Sequence, residues 1–292
     1  MRPLSPLLAL LGFASLQPSA WAAFPDDVSL SQLGEWDGAE FTDVNANRDA
    51  YEVVVRQLAA GVANQALQPA ETLGTNGFAA SLDSSWGFIS AQNEDGSPAP
   101  WERVHTDADP TGVLWVPTLT VRKGLPLSLE GGLSVGYIGF SQQTVFGGFG
   151  RWGIWEGYRQ FPDLTLKVGY SGLVGNDELE LGVMDLSATL GYSVPFGTLN
   201  GINDSVWSPW FSAGMLRTSA SPRLSEAEQE TLGIMPVSGS KNSESYQEDG
   251  GYAPFVGTLG FRIVTGDFTV TMAGSMTVAA MPSLHMGFGY DF

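Results

Sequence analysis

Two histidines, His105 and His285, and no cysteine at all stand among 292 residues. Without thiols, the chain has no thiolate nucleophile, no disulfide and no cysteine-ligated metal. His105 sits beside Asp107 and Asp109, and His285 shares its strand parity with Ser275 on the neighbouring segment. A Ser–His or Asp–His pair held close in space is the core of an acyl hydrolase, yet no motif here supplies a third member. His285 therefore reads first as a hydrogen-bonded packing residue, with a hydrolase as the alternative; no catalytic residue is assigned. Carboxylates gather at Glu94, Asp95, Glu102, Asp107 and Asp109, at Asp177-Glu178, and at Glu226, Glu228, Glu230, Glu244, Glu248 and Asp249. None of these groups has the spacing of a calcium loop, so they read as solvated connections, not as a metal site. Ser225 with Glu228 has the form of a capping box, which predicts a short helix inside the last acidic group.

A second set of ionisable residues is defined by alternation. Asp83, Arg122, Glu130, Arg151, Lys167, Asp185, Arg262 and His285 each lie on the opposite parity from the large apolar residues around them. Period-two alternation is the mark of a strand with one apolar face. It recurs in ten segments: 78–89, 113–123, 127–137, 144–158, 164–170, 184–194, 206–217, 255–263, 268–276 and 283–292. The connections after the first and seventh segments are long, and those after the second, fourth and eighth are short. The connection 195–203 is longer than a tight turn, the parity of 206–217 is ambiguous, and eight or twelve strands also fit the pattern.

The closing segment sharpens the reading. Leu284, Met286, Phe288, Tyr290 and Phe292 alternate with His285, Gly287, Gly289 and Asp291 to the last residue. A soluble protein rarely leaves so apolar an edge unpaired. This ending resembles the terminal strand of Gram-negative outer-membrane β-barrels, which typically close on an aromatic residue. The resemblance implies an all-β, transmembrane, antiparallel up-and-down barrel of about ten strands at residues 71–292. It implies an outer-membrane location, with membrane lipid and lipopolysaccharide as surroundings. Leu284, Met286, Phe288, Tyr290 and Phe292 would be the strand read by the barrel-insertion machinery.

The rest of the chain agrees with export. Arg2, an apolar run over 4–16 and Ala20-Trp21-Ala22 form a secretory signal peptide at 1–22. No later stretch is apolar and long enough to cross a bilayer as a helix. The charge of −18 excludes a nucleic-acid surface. Residues 23–70 form a periplasmic N-terminal segment, with helical spacing of Tyr51, Val54, Val55, Leu58 and Val62 predicting a helix over 49–67 that rests on the periplasmic rim or threads into the lumen. Trp86, Trp115, Trp152, Trp155, Trp207, Trp210 and Tyr290 fall near strand ends, where aromatic girdles mark the membrane interfaces.

In a barrel this narrow the eight charged or imidazole side chains must line the lumen, because Arg or Lys facing lipid at the midplane costs about 2–4 kcal/mol. The function expected is that of a non-enzymatic envelope or surface component, or a restrictive passage for small solutes with an ion-paired lumen. The alternatives are the hydrolase at His285 and a carrier of an apolar ligand with the N-terminal helix as plug. No cofactor is implied.

Overall fold

Ten long antiparallel strands carry the alternation, and each buries one parity and exposes the other. They are β1 Phe78–Phe88, β2 Val113–Leu125, β3 Leu129–Tyr137, β4 Thr144–Trp155 and β5 Asp163–Val174, followed by β6 Leu179–Gly191, β7 Asn203–Pro222, β8 Phe255–Thr265, β9 Phe268–Thr277 and β10 Pro282–Asp291. The computed structural model describes residues 27–36, 39–40, 43–65, 67–90, 98–104, 110–157, 161–199, 203–238, 254–278 and 280–292. Residues 1–22, expected to be a signal peptide, and His105, Asp107 and Asp109 lie outside these residues, as do Glu94, Asp95, Glu244, Glu248 and Asp249.

Each strand pairs with the next, and β10 pairs with β1 from Ser283↔Gly87 to Asp291↔Ala79, so the sheet is closed and has no edge. Closure satisfies the backbone groups of every strand, which is the requirement for crossing lipid with strands. The seam is fastened at its lower end by Phe78 and Phe292, which exchange backbone hydrogen bonds of 3.3 and 2.6 Å. Their rings stand 5.5 Å apart, with Tyr290 against Phe292 and Phe268 against Tyr290.

One end of the barrel, the turn end, carries the short connections 126–128 and 266–267 together with 156–162 and 192–202. The last of these is not a simple turn: Val194–Leu199 pairs with the first residues of β7, extending that hairpin beyond the barrel wall. The opposite end, the loop end, carries 89–112 and 223–254, the two long connections. The capping box is present there. Ser225 and Glu228 bond each other reciprocally and start α2, Glu226–Leu232, which ends on Gly233 at φ 72°.

The N-terminal helix, α1, spans Val44–Val62, starting and ending five residues earlier than the apolar spacing predicts. Asp43 sets the start, its carboxylate accepting from Asn45 N at 3.0 Å and Ala46 N at 3.3 Å. At Ala63 the backbone turns extended, well before Pro69. Of the two placements left open for α1, on the rim or in the lumen, its contacts give the lumen. It lies inside the loop end, far from the mouth where β1 begins, touching β1, β2, β5, β6 and β7 around the barrel wall. Val54, Val55, Leu58 and Val62 are buried on one side, and Gln57, Ala59 and Ala60 elsewhere on its circumference. A helix buried around its whole circumference is a core element.

Residues 67–77 then descend through the lumen to the turn end. Gly124 shows how closely they pass: a Cβ there would stand 1.7 Å from the Gly74 carbonyl oxygen. Only glycine admits such an approach of two backbones.

Candidate functional site

The interior has two storeys. Toward the loop end the inward side chains are Leu114, Val116, Val145, Leu181, Val183 and Leu216, and they pack on α1 in one continuous apolar cluster. Toward the turn end the same strands turn polar: Thr120 and Arg122 continue the row of Leu114 and Val116, and Asp185 and Thr189 continue that of Leu181 and Val183.

The structure buries all eight residues singled out by alternation. Glu130 is the hub of the lower storey at 2% exposure, 3.3 Å from Arg122 and 3.0 Å from Arg151. Its second oxygen accepts the Leu73 backbone N–H at 3.1 Å. Lys167 pairs with Asp185 at 2.8 Å and lies 5.4 Å from the centre of the Phe149 ring. Among the described residues, Asp83 has no cation within ion-pair distance; Ser81 and Thr120 donate to its carboxylate at 2.8 and 3.1 Å. Arg262 stands 3.9 Å from each of two carboxylates, Glu71 and Asp291, and Asp291 is 3.7 Å from Arg122.

Glu71 and Asp291 were not among the lumen-lining residues expected from sequence. Asp291 shares the odd parity of His285 and was legible from the terminal strand alone. Glu71 lies in no strand, and no periodic signal could place it. Adding it also changes the balance: four cations now face five carboxylates, Asp83, Glu130, Asp185, Glu71 and Asp291.

The threaded segment is held by barrel groups at each level. Arg151 donates to the Pro69 carbonyl and Thr165 to the Ala70 carbonyl. Glu156, in a turn-end connection, accepts from Thr72 N at 2.6 Å and from the Thr72 hydroxyl at 2.8 Å. At the loop end Gln57 of α1 donates to Ser90 and to the Ala280 carbonyl, and accepts from Trp101 Nε1 at 2.6 Å. Arg103 donates to the Ala46 and Leu33 carbonyls and to Asn47, and its burial lowers its pKa against the pull of Asp43.

His285 is separate from the charged network. Its Nδ1 lies 2.8 Å from Ser85 Oγ and its Nε2 2.8 Å from Ser275 Oγ, so each ring nitrogen has a hydroxyl partner. A nucleophile–base pair would need a carboxylate or similar group on the far nitrogen; here that place is taken by a second serine. The adjoining cavity has a volume of only about 20 Å³. Trp210 departs from the girdle reading: it is buried, with an inward parity, beside Gly191 and Gly260. A Cβ at Gly260 would stand 2.6 Å from its ring, so the glycine makes the room for it.

The outer surface decides the class. Leu82, Leu119, Leu133, Phe146, Met215 and Leu259 are all about half exposed or more, on the outward face of the sheet. Apolar exposure on that scale, around a closed sheet, is a lipid-facing band. The chain is a transmembrane β-barrel of the outer-membrane type.

No protein-family model and no curated protein matches the sequence. Among solved structures, the barrel is similar to the KdgM porin, at 4% identity and a TM-score of 0.33 over 73% of this chain and 99% of that one. It is similar to the translocator domain of the autotransporter NalP from Neisseria meningitidis, at 10% identity and a TM-score of 0.35 over 86% and 96%. It is also similar to the N-terminal β-barrel domain of OprF from Pseudomonas aeruginosa, at 11% identity and a TM-score of 0.27 over 75% of this chain and 99% of that one. Likeness of this degree adds nothing to the architecture already described.

Proposed function

We propose that the protein is an integral outer-membrane component with a closed lumen, a structural or surface element of the envelope and not an enzyme. The observation that carries this reading is the filling of the interior. The upper storey is occupied by α1 and the lower by residues 67–77. Among the described residues, the polar lumen beside Asp83, Arg122, Arg151 and Lys167 retains a cavity of only about 40 Å³. That volume suits a few ordered waters bridging the buried polar groups. It does not suit a continuous passage for hydrated solutes, nor an apolar ligand, since the apolar space is taken by the helix. The charges around it are satisfied mainly by one another, as buried ions must be.

Conductance of the purified full chain in a planar bilayer tests this. Silence is the expected result, and steady open current would show a passage and defeat the closed-lumen reading. Heat-modifiable migration on the same preparation reports that the barrel is folded.

A further inference from the structure

We infer that residues 27–36, which precede α1, are displayed on the outer face of the membrane, so that this barrel presents part of its own N-terminal segment at the cell surface. The inference rests on the outer-membrane reading above and goes beyond it, because a segment that precedes a barrel whose first strand starts at the periplasmic end would ordinarily remain in the periplasm.

The path of the chain is fixed by contacts at three levels. At the loop end, Asp27 accepts the Gln142 N–H at 2.8 Å, and Asn176 donates to the Val28 carbonyl at 2.8 Å. Ser29 N donates to the Val104 carbonyl at 2.8 Å. Glu178 accepts from the Ser29 hydroxyl at 3.1 Å and from Ser31 N and Oγ at 2.9 Å each. These partners come from three different loop-end connections, 89–112, 138–143 and 175–178. At mid-height α1 fills the apolar storey. At the turn end Leu73 and Thr72 are held by Glu130 and Glu156. The chain thus enters the lumen from the loop end and leaves it at the turn end, straight into β1.

Membrane orientation converts this path into a location. Outer-membrane barrels keep short turns in the periplasm and long loops outside. The two long connections share one end with residues 27–34, and the C-terminal Phe292 lies at the other. The two ends of the described chain therefore face opposite sides of the membrane. The sequence supports the same geometry: Ala59, Ala60 and Gly61 keep α1 slim enough for the lumen, and a Cβ at Gly61 would meet Leu114 at 2.4 Å.

The chain has no cysteine, so single cysteines are unique labelling sites. Ser31→Cys reports the N-terminal segment, Thr111→Cys the loop end and Pro126→Cys the turn end, and Asn45→Cys at the exposed start of α1 replaces Ser31→Cys if that variant fails to give a heat-modifiable barrel. Intact cells are treated with a membrane-impermeant maleimide, then compared with permeabilised cells. The expected result is labelling of S31C and T111C in intact cells and of P126C only after permeabilisation. Intact-cell labelling of T111C with S31C behaving like P126C overturns the inference alone. Intact-cell labelling of P126C but not T111C, or no position labelled without permeabilisation, overturns the outer-membrane orientation on which it rests.

Discussion

The two storeys of the lumen hold the same N-terminal segment by different physics. The upper storey grips a helix, whose backbone hydrogen bonds are internal, so its walls need supply only apolar surface: Leu114, Val116, Leu181 and Leu216 do so. The lower storey grips an extended stretch, whose backbone groups need partners from outside the segment. Accordingly Glu130, Glu156, Arg151 and Thr165 meet the groups of residues 69–73 one by one. The form taken by the plug dictates the chemistry of the wall around it. Where the plug is helical the barrel is greasy inside, and where it is extended the barrel is charged.

Breaking each storey separately should therefore give different failures. The largest effect is expected from Glu130→Ala, which leaves Arg122 and Arg151 buried on their strands without their shared carboxylate. Removing one partner from a buried ionic group costs about 3–5 kcal/mol. Because both arginines belong to the barrel wall, the loss should appear as a lower unfolding midpoint of the whole barrel, read by heat-modifiable migration against temperature. A midpoint equal to that of the parent would show that the network is not structural. Leu58→Ala should cost less, roughly 2–3 kcal/mol for a buried leucine truncated in a packed site. Its loss should fall on the plug: amide exchange over residues 44–62 accelerates while the barrel midpoint stays nearly fixed. The two storeys share no partner for these side chains, so the double variant should be additive to within about 0.5 kcal/mol. Strong coupling between them would mean that the plug and the wall form one cooperative unit.

The contrast between storeys also explains what could be read in advance. Strand alternation is a local property, so the barrel and the inward side of Asp83, Arg122 and Lys167 were legible from parity alone. Trp210 was not, because parity in that strand is ambiguous and its inward seat depends on Gly191 and Gly260 across the sheet. The helix was visible in the spacing of Tyr51, Val54, Val55 and Leu58, but its place was not. A periodic pattern shows which face is apolar and says nothing about which end of a barrel receives it. Asp43 moved its start to Val44 through a cap, a feature that lies outside the periodic run. Glu71 was out of reach for the same reason: its partner, Arg262, lies far along the chain, and only threading brings the two together.

The smallest effect expected is confined to the loop end, outside both storeys. Glu228 accepts from Ser225 N at 2.9 Å and from the Ser225 hydroxyl at 2.6 Å, and these bonds hold its carboxyl below the ordinary glutamate value. A carboxylate whose folded pKa is depressed adds stability above its unfolded pKa and loses it as pH falls through the folded value. The helix α2 should therefore keep its protection at neutral pH and lose part of it only in acid, below the usual glutamate range. Ser225→Ala removes the cap and the larger cause of the shift while keeping the backbone N–H that also bonds Glu228, so exchange over residues 226–232 should quicken about five-fold at neutral pH and lose part of its acid dependence. The plug and the barrel should be unaffected, since neither storey touches the Ser225–Glu228 pair. If S225A instead loosened α1, α2 would have to be counted as part of the lid over the upper storey, where Leu232 already meets the apolar cluster.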